Sequence, residues 1–339
     1  MVERRDKPTR APYMRNMTAH PLKIAFQMDP MASLNIKGDS TFALMLSAQA
    51  RGHSLYHYDV KTLSYQDGNL RALAHPVSVQ RVDGDHFSFG APLTLDLGAD
   101  IDVILMRQDP PFDLGYITAT HLLERISHQT LIVNDPASVR NAPEKLFVLD
   151  YARFMPPTLI TRSLDEVRAF QAVHGDIVVK PLHGNAGSAV FHITADGKNL
   201  PALTELFGQV WQEPFMVQAF LKEVSGGDKR IVLVDGEVAG AINRIPGKGE
   251  IRSNLAAGGS AHLTTLTDEE LEICAALAPE LKKRGLLFVG IDVIGGKWLT
   301  EINVTSPTGI VAIEAFDGTD VAALIWDAID RKLHARKPN

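Results

Sequence analysis

The sequence predicts an α/β protein whose second half turns to α+β, and three observations carry that prediction. Up to about residue 140, apolar runs of strand length alternate with helix-length stretches, the order of a parallel sheet with crossover helices. From Phe215 to Asn303, β-branched runs instead follow one another across glycine turns, as antiparallel hairpins do. Between the last two hairpins lies an amphipathic stretch opened by Thr267-Asp-Glu-Glu270 and closed by Gly285, a capping box and a glycine stop. At 339 residues the chain exceeds one typical core. We therefore expect a tail over 1–20, an N-terminal parallel-sheet domain over 21–140, and a second domain over 141–333 with subdomains of about 155–217 and 218–333.

In order, Leu22–Met28 reads as a strand that ends at Asp29-Pro30, and Asp39 as the cap of a helix over Ser40–Arg51 closed by Gly52. Ser54–Val60 and Pro76–Val82 are expected strands around a turn at Gln66-Asp67-Gly68-Asn69, and Asp102–Met106 is a buried one. A helix over Ile117–Ser127 and a strand over Thr130–Asn134 complete this domain. Ligands of open α/β sheets sit beyond the carboxyl ends of the strands, which singles out Asp29, Arg107 and Asp109 as candidate substrate contacts. Turn or cap duty is the alternative for each.

Pro143 suits the first turn of a helix running to Phe154. Thr158–Thr161 and Ile177–Lys180 are strands around a helix over Leu164–His174, and the turn His183-Gly184-Asn185-Ala186-Gly187 precedes a strand over Ala189–Ile193. Glycines let backbone N–H groups approach phosphate, and Lys180 at the strand end adds a point charge. Phe215–Leu221 is a further strand, a hairpin turns at Asp235-Gly236, and Arg244 sits near the end of the run Val238–Ile245. The loop 247–260 carries Arg252 and Asn254 and is too rich in small residues for a regular element; such loops are functional or disordered. The capped helix then runs to Arg284, with Cys274 as core packing, and leads into the hairpin Leu287–Pro307. The stretch Ile310–Phe316 and a helix over Asp320–Leu333 finish the chain.

In that last hairpin, a two-residue turn at Gly295-Gly296 would set Asp292 opposite Leu299 and put Leu299, Glu301 and Asn303 on the face of Asp292. Two carboxylates and a carboxamide are hard oxygen ligands of the kind Mg²⁺ takes beside substrate phosphates. A solvated hairpin face is the alternative, and a three-residue loop would reverse the parity and separate Asp292 from Glu301.

Composition excludes several classes. A net charge of -6 argues against general nucleic-acid or membrane-surface binding, and no apolar run approaches the roughly 20 residues of a membrane span, so small-molecule partners are expected. The single cysteine rules out an internal disulfide framework and fits a reducing cytoplasm. No GxxxxGK[ST], no strand-GxGxxG-helix unit and no HExxH occurs, so a Walker-type loop and a zincin are both unsupported. What remains is a metal face, two lysines, a glycine turn and two arginines before a glycine loop, the parts of nucleotide-driven phosphoryl transfer.

At this point the residues resemble a known family. Met28-Asp-Pro with Asn35-Ile-Lys-Gly-Asp-Ser40, Val103–Asp113, Asn141-Ala-Pro-Glu-Lys145-Leu-Phe, Gly227-Asp-Lys-Arg230, Asn254-Leu-Ala-Ala-Gly-Gly259 and Thr300–Pro307 are similar to segments of the bacterial glutathione synthetases, which are ATP-grasp ligases. The resemblance covers roughly residues 22–333. It implies an ATP-grasp fold, with 155–217 as its lid, and an ATP-dependent ligation of γ-glutamylcysteine to glycine through an acyl phosphate. By the same resemblance, Asp292, Glu301 and Asn303 would hold Mg²⁺ (or Mn²⁺), and Lys145, Lys180 and the turn Gly184–Gly187 would bind ATP phosphates. Gln218, Ala219 and Leu221 would contact adenine as a hinge, and Asp228 the ribose. Arg230, Arg244, Arg252 and Asn254 would surround the reacting carboxylate, with Gly258, Gly259 and Ser306 beside the substrate. A cytoplasmic homo-oligomer is expected. Two departures, Ala186 within the turn and Ser260 after the glycine pair, leave open an ATP-grasp carboxylate–amine ligase with a different acceptor amine.

Overall fold

The computed structural model describes residues 21–184, 187–255 and 258–336; the expected tail and residues Asn185, Ala186, Ala256 and Ala257 lie outside it. The first unit contains β1 (Lys23–Gln27), α1 (Ser40–Ala50), β2 (Ser54–Tyr58), β3 (Ser64–Gln66), β4 (Asn69–Val79), β5 (Phe87–Phe89), β6 (Leu93–Asp96), β7 (Val103–Met106), α2 (Leu114–Glu124), β8 (Leu131–Val133) and α3 (Pro136–Arg140). Strands β1, β2, β7 and β8 pair in parallel, and Ile24, Ala25 and Phe26 are fully buried because helices cover both faces.

The sheet is mixed, not parallel throughout. β4 runs antiparallel to β2 and carries β3, β5 and β6 on its length. Of the expected strand Pro76–Val82 only Pro76–Val79 is strand, the end of this longer element, which begins right after the Asp67-Gly68 turn. α1 starts where predicted, with Asp39 Oδ1 accepting from Phe42 N at 2.6 Å. α2 starts three residues before the predicted Ile117, because Asp113 caps it by accepting from Tyr116 N at 2.8 Å.

The helix expected to run to Phe154 is short. α4 (Glu144–Phe147) gives way to a 3₁₀ segment, Val148–Phe154, broken at Tyr151 with φ -118°. Next come β9 (Thr158–Thr161), α5 (Leu164–His174), β10 (Ile177–Pro181), β11 (Phe191–Ile193), α6 (Leu200–Val210) and β12 (Phe215–Ala219). These strands form a four-stranded antiparallel sheet in the order β11-β10-β12-β9, with its own core of Val167, Ile177, Val179, Leu203, Phe207 and Val217.

β13 (Asp228–Val234), β14 (Glu237–Ile245), β15 (Ser260–Leu263), α7 (Asp268–Lys283), β16 (Phe288–Ile294), β17 (Trp298–Asn303), α8 (Ile310–Asp317) and α9 (Val321–Arg336) complete the chain. The five strands order as β15-β14-β13-β16-β17. The turn at Asp235-Gly236 has φ 49° and 76°, the left-handed pair that a two-residue hairpin with the right twist needs. α7 carries the predicted capping box between Thr267 and Glu270, and its Cys274 is buried.

The first unit and the five-stranded sheet share cores. Ile24, Phe26 and Phe42 pack in one cluster with Val232, Ile313 and Trp326, and Trp326 Nε1 donates to Leu44 O at 2.9 Å. Asn134 bonds Phe288 and Val304 together: its Nδ2 donates to both carbonyls at 2.7 Å, and its Oδ1 accepts from Phe288 N at 2.8 Å. A buried amide satisfied three times fixes the end of β8 to the hairpin that follows.

Candidate active site

The hairpin β16–β17 reaches its face by a route the sequence does not display. Its turn takes three residues, Gly295 to Lys297, so Ile294 pairs with Trp298 and Val293 with Leu299. That puts Leu299 on the apolar side, not beside Asp292, and it is fully buried in the core with Ile291, Val293, Ile302 and Val304. Thr300 is then an extra residue on β17, a β-bulge, after which Asp292 stands directly opposite Glu301 and Gly290 opposite Asn303. The parity lost in the loop is restored by the bulge.

Asp292 is buried and doubly paired. Arg230 donates to both its oxygens, Nε to Oδ1 at 2.6 Å and Nη2 to Oδ2 at 3.0 Å, in the bidentate fork typical of guanidinium and carboxylate. Arg244 Nη2 lies 3.0 Å from Oδ1, and Asn303 Nδ2 donates to Oδ2 at 3.3 Å. Burial alone would raise this carboxyl, but the two guanidiniums outweigh it and hold Asp292 ionised well below the ordinary carboxylate range. Glu301 follows the same logic with lysines. Its Oε1 lies 3.5 Å from both Lys145 Nζ and Lys180 Nζ, which overcome its burial and lower its pKa. Lys180 is lowered by its burial, only partly offset by Glu301.

Around this pair opens a cleft between the four- and five-stranded sheets. Lys145, Lys180, Gly184, Gly187, Gln218, Ala219, Leu221 and Asp228 all line it, with Arg252, Asn254, Asp292 and Glu301. Lys145 Nζ also donates to Gly184 O at 2.6 Å. Gly187, at φ +75°, packs so tightly on the glycine-rich loop that a Cβ there would lie 2.7 Å from Asn254 Oδ1. Gly259 N donates to Asn254 O at 3.1 Å, and a side chain at Gly259 would overlap the Ser253 carbonyl; Gly258 has φ +93°. Arg252 Nε pairs with Glu250 at 3.0 Å.

Arg230, Arg244 and Asn303 stand behind Asp292 and do not line the cleft among the described residues. Asp228 does, yet both its oxygens are engaged: Arg244 Nε donates to Oδ1 at 2.6 Å and Ser253 Oγ to Oδ2 at 2.5 Å. Burial nevertheless raises its pKa. Ser253, buried and tethering the glycine-rich loop to β13, is a residue that sequence reasoning passed over; its only signal is its place between Arg252 and Asn254.

Asp29, Arg107, Asp109 and Ser306 gather in a second cluster at the strand ends of the first unit. Asp29 Oδ2 accepts from Asp109 N at 2.8 Å, Arg107 Nε donates to Thr41 Oγ1 at 3.0 Å and its Nη2 to Pro307 O at 3.1 Å, and Ser306 Oγ donates to Gln108 O at 2.8 Å. Arg107 Nη1 is buried without a partner, an orphaned donor of the sort that an anionic ligand would satisfy.

Two ionised carboxylates and a carboxamide whose NH₂ is spent on Asp292 and Gly290 offer hard oxygens of the kind a Mg²⁺-sized cation accepts. Among the described residues, no cluster of three or more His, Cys, Asp or Glu side chains offers a metal site of another kind. No helix among them is long and apolar enough to cross a membrane.

Comparison with known proteins agrees along the chain. Residues 22–140 match the family model described as the prokaryotic glutathione synthetase N-terminal domain, and residues 144–318 match the prokaryotic glutathione synthetase ATP-grasp domain. The chain is 56% identical over 311 residues to a glutathione synthetase of Rhodopseudomonas palustris, covering 92% of this chain and 99% of the relative. It is 54% identical over 311 residues to that of Brucella melitensis, with the same coverage, and 45% identical over 314 residues to that of Shewanella oneidensis, covering 92% and 99%. Among solved structures, the D-cycloserine synthetase DcsG superposes with a TM-score of 0.66 at 18% identity, covering 91% of this chain and 99% of that one. A RimK-domain ATP-grasp protein from Sphaerobacter thermophilus gives a TM-score of 0.61 at 18% identity, covering 90% and 98%. At those identities the structures speak to the ATP-grasp fold alone.

Proposed function

The chain belongs to the prokaryotic glutathione synthetases, and from that premise we propose how its residues divide the work. It is an ATP-dependent carboxylate–amine ligase that makes glutathione. The single observation that carries the assignment of roles is the convergence on one cleft of two lysines, an acidic hairpin face and an arginine-bearing glycine loop.

In this reading the hinge Gln218–Leu221 receives adenine, while Lys145 and Lys180 swing from Glu301 to the nucleotide phosphates as point charges. Asp292 and Glu301, which line the cleft, would hold the divalent cation, Mg²⁺ or Mn²⁺, with the Asn303 side-chain oxygen as a third ligand from behind Asp292. When bound, that ion neutralises charge gathering on the transferred phosphoryl group. The carboxylate of γ-glutamylcysteine that is to receive glycine attacks the γ-phosphorus, and the bond to the β–γ bridging oxygen breaks to release ADP. The glycine amine, having lost a proton, then attacks the acyl carbon. The C–O bond to phosphate breaks, leaving glutathione. Arg252 and Asn254 line the cleft where the tetrahedral oxyanion would form and would donate to it; Arg230 and Arg244 act from behind Asp292, fixing the carboxylate they grip. Arg107, with its orphaned donor, and Asp29, Asp109 and Ser306 would contact the dipeptide, as would Gly258 and Gly259 of the glycine-rich loop. A cytoplasmic homo-oligomer is the assembly we assign to it.

The test is direct. Purified protein given ATP, Mg²⁺, γ-glutamylcysteine and glycine should release ADP and glutathione in equal amounts. ADP release no greater than with ATP alone would overturn the reading.

A further inference from the structure

We propose that His192 is a positioning residue for the nucleotide base, braced by Asp176 and acting through the ring of Phe220. Phe220 lines the cleft between Ala219 and Leu221, but His192, on β11, does not. The two rings are stacked with centroids 4.0 Å apart and planes 18° from parallel. His192 Nε2 lies 2.9 Å from Asp176 Oδ2. Asp176 is in turn fixed from two other directions: its Oδ1 accepts from Ala195 N at 2.9 Å, and its backbone carbonyl accepts from Phe220 N at 2.9 Å. One residue thus holds both the hinge backbone and the imidazole that backs the hinge ring.

The physical consequence follows from side-chain freedom. Phe220 is only half-buried, and a half-buried aromatic at the lip of a cleft has alternative rotamers that would narrow or open it. Stacking against an imidazole that is itself hydrogen-bonded selects one of them before the ligand arrives, so less ordering cost falls on binding. The hydrogen bonds from Ala195 and His192 lower the Asp176 pKa, so the brace, ionised at neutral pH in any case, stays anionic further into acid. This inference rests on the hinge being the adenine site.

The experiment is a split of kinetic constants with a binding readout. His192→Ala should raise KM for ATP about 5-fold, as the loss of one aromatic stack predicts, with kcat and KM for γ-glutamylcysteine held within about twofold. Titration with the non-hydrolysable analogue AMPPNP should show the same loss in Kd. His192→Arg, whose guanidinium stacks on an aromatic ring and pairs with a carboxylate, should restore affinity. Unchanged ATP affinity in His192→Ala overturns the proposal, as does a uniform loss in kcat and in both KM values, which would mean a merely loosened fold. Should His192→Ala not fold, Asp176→Asn, which leaves the rings in place, is read by the same criteria. The AMPPNP titration reports on the brace even if the ligation assay returns nothing, so the two readings fail separately.

Discussion

On the five-stranded side of the cleft, charge is buried and locked: Arg230, Arg244, Asp228 and Asp292 are at most 9% exposed and bonded to one another. On the four-stranded side, Lys180 and Gln218 are the buried polar side chains lining the cleft among the described residues, joined by Val178, Val190, Phe220 and the glycine turn over a small separate core. The first wall carries its chemistry in side chains whose directions the strand pleat dictates. Among the described residues the second has one charged group, Lys180, and beyond Gln218 is mainly apolar side chains and a glycine turn. Substitutions should therefore cost more on the first wall, and in a different constant.

The largest effect is expected at Glu301. Glu301→Ala should lower kcat roughly 10²- to 10³-fold by removing a cation ligand and leaving two lysines facing each other. Turnover near wild type would show that the face holds no metal. Asp292→Ala should unfold more easily by about 3 kcal/mol in urea denaturation, because two buried guanidiniums lose their counter-charge. Across the cleft, Lys180→Met should cost roughly 10- to 100-fold, seen mainly in kcat/KM for ATP. A greater loss at Lys180 than at Glu301 would break the comparison. Gly187→Ala adds a Cβ in the left-handed region against Asn254, so activity should fall about 10-fold with little change in Tm.

A separate prediction concerns pH. Burial, with Glu301 nearby and only partly countered by Lys145, raises Glu144 to about 7, and its Oε1 accepts from Thr305 Oγ1 at 3.0 Å. A carboxyl raised on folding stabilises the fold fully below its unfolded pKa and loses that contribution as pH climbs through its folded one. Unfolding titrations should thus show wild type losing roughly 3 kcal/mol relative to Glu144→Gln between about pH 4.5 and 7.5. Parallel pH profiles for the two proteins would exclude the shift.

What the sequence made legible follows the same division. The capping box of α7, the helix α5 over Leu164–His174 and the polar face of the last hairpin are local patterns, and they stand where the residues predict. The strands β3, β5 and β6 are three or four residues long and largely exposed, too short to display alternation. The break at Tyr151, the Ser253–Asp228 tether and the ring of His192 on Phe220 depend on partners distant in sequence or on tertiary packing, so no window of sequence contains them. The hairpin face came out right although its loop did not, because two one-residue departures cancelled.

That cancellation leaves the hairpin with slack. Thr300 pairs with nothing in the ladder, so a chain lacking it can close Leu299 against Val293 and Glu301 against Asp292 with no residue left over. β17 can therefore be shortened by one residue just ahead of Glu301 with both carboxylates still opposed. An insertion at the same point has no second bulge to absorb it and would turn Glu301 into the apolar core.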